Sequence, residues 1–161
     1  MVMKHKVMIT LRTVLTWMLV SVSLACVAAG EDSLPIRNLA KGAFSGLGEA
    51  TEKVVQDKLA WEKLWAEHRA NIKGDLKVPE IDFSKEMVVF AAMGRQRTGG
   101  YAIEITNIRP ANDRLQISIK RKTPPPGAMV TQALTAPFHI VAVPKSALKP
   151  EFVEAKEEKK K

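Results

Sequence analysis

Met87-Val88-Val89-Phe90-Ala91-Ala92-Met93-Gly94-Arg95-Gln96-Arg97-Thr98-Gly99-Gly100-Tyr101-Ala102-Ile103-Glu104-Ile105 is the stretch on which the fold turns. Its first seven residues are apolar without interruption, and at its end Tyr101, Ile103 and Ile105 alternate with Ala102 and Glu104. Both patterns read as β-strands, and the polar insert between them predicts a hairpin with an oversized turn. Loops held on a rigid scaffold carry function disproportionately. Arg95, Gln96, Arg97, Thr98 and Tyr101 are therefore the candidate partner-binding residues. The simpler reading of the same insert is that Gly99 and Gly100 supply backbone angles closed to bulkier residues.

Upstream of this stretch, Trp61, Leu64, Trp65 and His68 recur at the spacing of one helical face, and Asp57 stands where an N-cap belongs. A helix is expected there. Ile36–Phe44 and Glu52–Val55 read as short strands, and 71–79, with Gly74 and Pro79, reads as a loop into Ile81-Asp82-Phe83-Ser84. Downstream, Leu115, Ile117 and Ile119 alternate with Gln116, Ser118 and Lys120 as a strand with one wet face. Pro124-Pro125-Pro126-Gly127 breaks pairing, and Phe138–Val143 predicts a last strand ended by Pro144. The sum is an α+β domain, an antiparallel-rich sheet of about five or six strands with one long helix packed on it.

The first thirty residues are set apart from the fold. Lys4, Lys6 and Arg12 make a basic start, Thr13–Leu24 is an uncharged and mostly apolar segment, and small residues follow. This is the pattern of a secretory signal peptide. Two cleavages fit: after Ala29, with Val27 and Ala29 suiting an ordinary signal peptidase, or before Cys26, with Ser23-Leu24-Ala25-Cys26 as an imperfect lipobox and Cys26 as the lipidated residue. The expected organisation is a signal peptide at 1–30, a leader at 31–42, a domain at 43–148 and a charged flexible tail at 149–161. The expected location is outside the cytoplasm, periplasmic or anchored to the envelope, with the membrane reached only through the signal peptide or a lipid.

Composition narrows the chemistry. The chain of 161 residues carries a net charge of +8, which falls to +5 once the three cations of the signal segment are set aside. That excess is scattered, with Lys120-Arg121-Lys122 read as a solvated strand end, and no basic stripe with interleaved aromatics argues for nucleic acid. Cys26 is the sole cysteine, so the domain holds itself together by its core alone. His68 lies on the apolar stripe of the helix and His139 within a strand. No His-Glu-x-x-His, cysteine pair, Gly-x-Ser-x-Gly or phosphate-loop ending is present. Asp82 reads as a turn-starting residue, and its alternative is a carboxylate pair with Glu104. The expectation is a protein with no catalytic residues, metal or cofactor.

In order along the chain, the Trp61–Trp65 helix, Asp82-Phe83-Ser84-Lys85-Glu86-Met87-Val88-Val89, Thr98-Gly99-Gly100-Tyr101 and Pro137-Phe138-His139-Ile140-Val141 with Pro144-Lys145 resemble the PrcB C-terminal domain family. The likeness spans about Ala43 to Lys145. It implies an exported subunit that binds and stabilises a cell-envelope protein, in that family a surface serine protease complex. Two alternatives stand beside it. Arg97-Thr98-Gly99-Gly100-Tyr101 faintly resembles the loop of chagasin-like protease inhibitors, and a small-ligand binding module is the other.

Overall fold

The computed structural model describes residues 33–70, 72 and 77–155; the expected signal peptide with Cys26, and the last six residues, lie outside the described residues. Seven strands and one helix follow in the order β1 (Arg37–Gly42), β2 (Ala50–Val55), α1 (Lys58–Arg69), β3 (Glu86–Met93), β4 (Ala102–Ala111), β5 (Arg114–Lys122), β6 (Phe138–Pro144) and β7 (Lys149–Glu154). They build two sheets, a four-stranded one in the order β1-β6-β3-β2 and a three-stranded one in the order β4-β5-β7. The expectation of a single sheet under a long helix is therefore corrected. The protein is mostly β, and α1 has only 12 residues.

The apolar run that opens the sequence argument explains the layering. β3 sits in the middle of the four-stranded sheet, and both faces of that sheet are covered. Met87, Val89 and Ala91 pack toward the second sheet, with Val141 and Val143 of β6 and Ile103, Ile105, Ile108, Leu115, Ile117 and Ile119 opposite. Val88, Phe90 and Ala92 pack the other way, with Ile140 and Phe138, against Trp61, Leu64 and Trp65 of α1. A strand buried on two faces needs apolar residues at every position, whereas β4 and β5 bury one face and alternate. In β4 the alternation changes phase, with Ile103 and Ile105 inward and then Ile108. The register shift between Ile105 and Asn107 supplies the extra residue that does this.

β3 and β4 do not form the expected hairpin. β3 pairs with β2 and β6, and β4 with β5, so residues 94–101 cross from one sheet to the other. The sequence around 149–154, expected to be flexible tail, contributes β7, which runs parallel to β5 and packs Phe152 on the core. The strand read at Ile36–Phe44 is β1, paired with β6, so the end of the segment expected as leader belongs to the fold. Arg121 is no solvated strand end either: its guanidinium bonds Glu52 of β2 and Glu154 of β7, tying the two sheets along one side.

The helix follows its sequence closely. The Asp57 carboxylate accepts from Ala60 N at 2.8 Å, and Trp61, Leu64, Trp65 and His68 form the buried face. Trp61 Nε1 donates to Pro79 O at 3.1 Å, so the indole proton is satisfied inside the core. The chain ends α1 where Gly46 N donates to His68 O at 2.6 Å. An added Cβ at Gly46 would lie 2.5 Å from Glu67 O, so only glycine permits that approach.

Both described histidines are core residues. His68 is 1 % exposed, its ring 4.2 Å from that of Phe138, and burial, followed by the nearby Arg69 charge, pushes its pKa down to about 4. His139 is lowered in the same direction by burial and by Lys41, with Glu104 opposing. A histidine whose folded pKa lies below its unfolded value binds more protons when unfolded, so stability is full above pH 6.5 and declines as the pH falls toward the folded value. For His68 the loss between pH 6.5 and 4 amounts to about 3 kcal/mol. Urea unfolding followed across that range is expected to show this decline, and His68→Phe to remove most of the slope, leaving the part due to His139. Phe90→Ala, which opens a cavity between α1 and the sheet, is expected to cost about 3–5 kcal/mol in the same assay.

Candidate functional site

Three connections meet at one end of the sandwich: 43–49 between β1 and β2, 94–101 between β3 and β4, and 123–137 between β5 and β6. Backbone bonds knit them together. Gln96 and Thr135 exchange two N–H···O bonds of 2.7 and 3.0 Å, Gly99 N donates to Thr131 O at 2.9 Å, and Arg95 N donates to Gly48 O at 2.9 Å. Thr135 Oγ1 donates to Thr98 O at 2.8 Å. Loops fixed in this way present their outward side chains in one arrangement, which reduces the ordering cost of binding.

The five residues singled out in the sequence divide into two groups. Arg95 and Arg97 are exposed, and neither guanidinium meets an acidic side chain among the described residues. Gln96 is half-buried between them, its side chain donating to Met93 O at 3.1 Å, so its hydrogen bonds serve the loop. Thr98 is half-buried and its carbonyl is used by Thr135. Tyr101 is half-buried immediately before β4. The insert is a crossing between sheets rather than a hairpin turn.

Sequence reasoning overlooked the apolar part of this end. Four large apolar side chains stand exposed among the described residues, and three of them are here: Phe44 at 60 %, Leu134 at 62 % and Met129 fully exposed. Phe44, Leu47, Leu134 and Ala136 line a shallow pocket of about 320 Å³ with Arg95 at its edge. Ser45, also in its wall, sits 2.9 Å from His68 Nδ1, and its Oγ accepts from Leu47 N at 3.2 Å. The pocket wall is thus anchored to the buried ring of α1. Phe44 had been absorbed into a strand reading, and Leu134 lies in a stretch of small polar residues; neither position shows a pattern, since exposed apolar residues on loops follow no period.

The remaining candidates are structural. Asp82 accepts from Ser84 N at 3.0 Å and from the Ser84 hydroxyl, and these bonds hold its carboxyl below the usual range. Glu104 bonds Lys41 at 2.9 Å and is likewise lowered, so the two carboxylates serve separate contacts rather than a pair. His139 Nδ1 accepts from Ile105 N at 2.9 Å, which fixes the proton on Nε2 and joins β6 to the edge of β4. Among the described residues no three His, Cys, Asp or Glu side chains gather as a metal site.

Gly94 and Gly127 separate scaffold from surface at this end. Gly94 has φ +70°, and an added Cβ would lie 2.6 Å from Ala50 N; Gly127 has φ +77° with nothing within 4 Å. Gly127→Ala is expected to cost about 1–2 kcal/mol, the left-handed penalty alone. Gly94→Ala is expected to cost clearly more, because backbone must move as well. Chemical denaturation of the two variants side by side checks the order.

Residues 87–144, the span of β3 to β6 with the loops 94–101 and 123–137, match the family model described as PrcB C-terminal. No curated protein and no solved structure matches the chain. The match falls on the central strands of the four-stranded sheet and on two of the three loops that build the candidate surface, and over this segment the chain is similar to the PrcB C-terminal family.

Proposed function

We propose that this protein is an exported, non-enzymatic interaction domain that binds and stabilises a protein partner at the cell envelope, using the three-loop end of the sandwich. The similarity to the PrcB C-terminal family suggests an association with protease complexes, and a protease or a subunit of its complex is the partner this reading favours. The observation that carries it is the grouping of exposed Phe44 and Leu134 with Arg95 around one pocket, with exposed Met129 and Arg97 on the same connections and neither arginine meeting an acidic side chain among the described residues. Exposed apolar patches mark interaction sites, and aromatic, methionine and arginine side chains are enriched in interface cores. The mechanism is mass action: a subunit that binds only the folded partner, present at a hundred times its dissociation constant, contributes ~2.7 kcal/mol. Export follows from the signal-like segment, with Cys26 as the lipid attachment when the lipobox is used.

The test is crosslinking in the native envelope, with the partner identified by mass spectrometry and its binding then measured with purified proteins. Two variants are compared with the parent, Phe44→Ser with Leu134→Ser, and Arg95→Ala with Arg97→Ala. Each pair is expected to weaken binding by tenfold or more while leaving the unfolding midpoint within about 1 kcal/mol, since these side chains are outside the core. Addition of the parent is expected to raise the partner's melting temperature. Equal binding by all three forms would remove the three-loop end from the interface. Separately, a clickable fatty acid is expected to label the parent and not Cys26→Ser; absence of label from both assigns cleavage to the ordinary signal peptidase site.

A further inference from the structure

The side of the molecule away from the three loops offers a second surface of a different kind. Two sheets leave four edge strands, and three of them are blunted. β1 carries a register shift between Asn38 and Ala40, β4 carries one between Ile105 and Asn107 together with Pro110, and β7 contains Pro150. Bulges and prolines are the usual devices that stop an edge from pairing. β2 has neither. It pairs with β3 residue for residue, from Ala50 opposite Met93 to Val55 opposite Val88, with no shift, and its outer edge has no strand beside it.

A groove of about 510 Å³ runs along that edge, lined by β2, by Ala60, Lys63, Leu64 and Glu67 on the flank of α1, and by Pro150 of β7. We propose that β2 accepts an extended segment of another protein as a fifth strand of the four-stranded sheet, with alternate side chains of that segment entering the groove beside α1. Backbone hydrogen bonds along a free edge supply affinity in this mode, and the adjoining groove supplies selectivity.

The side chains of β2 define the occupant. Glu52 faces the second sheet and is engaged by Arg121, Val54 packs toward the same core, and Val55 packs toward α1. Lys53 therefore projects on the α1 side, where it lines the groove, and it has no acidic partner among the described residues. An antiparallel second copy centred on the middle of β2 fits poorly. A two-fold axis normal to the sheet keeps each face on its own side, so when it passes through Glu52 or Lys53 it sets that residue opposite its own copy, and like charges directly opposite are destabilising. The fitting segment is a heterologous one with an acidic residue opposite Lys53 and an apolar residue two positions away, opposite Val55 and above Ala60. This surface is separate from the three-loop end and does not depend on it.

The test pans a phage-displayed random nonapeptide library on the full chain, then measures the enriched peptides by fluorescence anisotropy. Peptides with an acidic residue two positions from an apolar one are expected to be enriched. Their affinity is expected to fall at least tenfold with Ala60→Arg, which fills the groove from an exposed helix position, and with N-methylation of alternate peptide amides, which removes edge hydrogen bonds. Lys53→Glu is expected to shift the enriched set from acidic to basic. Failure to enrich any peptide, or binding indifferent to N-methylation and to Ala60→Arg, overturns the proposal. Binding lost instead with Phe44→Ser and Leu134→Ser assigns the peptides to the three-loop end and also overturns it, as does sedimentation as a dimer that Lys53→Glu with its charge reversal dissolves or strengthens.

Discussion

The structure depends on covering both faces of one pair of strands, β3 and β6. Each is buried along nearly its whole length, and neither has a polar face to offer to water. A two-layer arrangement leaves one face of that pair wet, at roughly 25 cal/mol for each Å² of apolar surface left exposed. The chain meets the constraint with two different covers, a three-stranded sheet on one side and a 12-residue helix on the other. Every other feature of the fold can be read as a means of holding those covers in place. Arg121 fastens the second sheet through Glu52 and Glu154, His139 fastens the open edge of β4 through Ile105 N, and the tryptophans of α1 occupy the opposite face.

The loops of the candidate surface inherit their rigidity from the same arrangement. Residues 94–101 must carry the chain from the four-stranded sheet to its cover, and 123–137 must bring it back, so the two connections run side by side and pair with each other through Gln96 and Thr135. The 43–49 connection is drawn in from below by α1, through Ser45 at His68 Nδ1 and Gly46 at the helix end. What is left outward is apolar and cationic. The division of labour within 94–101 follows: Gly94, Gln96, Thr98 and Gly99 are turned inward to keep the crossing in place, and Arg95 and Arg97 are the side chains the crossing displays.

Features set by local sequence were legible before the structure, and features set by distant partners were not. Asp57 and the Trp61, Leu64, Trp65 and His68 stripe specify α1 because capping and a 3.6-residue period act within a few turns. The alternation in β5 and the apolar runs of β3 and β6 were equally plain. The connection between β3 and β4 misled, because a glycine-rich insert between two strands looks the same whether the strands pair or part. β7 escaped notice because Lys149-Pro150-Glu151 is polar and only Phe152 and Val153 mark it as a strand. The arginines of the candidate surface stood out as loop residues, whereas Phe44 and Leu134 became meaningful only when folding brought two connections together.

The order of strands in the four-stranded sheet also bears on how the chain reaches this state. β6 lies between β1 and β3, so it completes the hydrogen bonding of both, yet it is the last strand of that sheet to be made. Before residue 138 arrives, β1 has no neighbour at all and β3 has only β2. Local hairpin closure offers little help, since it joins only β4 with β5 in the covering sheet, and the pairing of β2 with β3 must close across α1. Contacts across such long sequence separations must close late and slowly. A nascent chain of this topology keeps its four-stranded sheet open, with β1 unpaired, until β6 has been made.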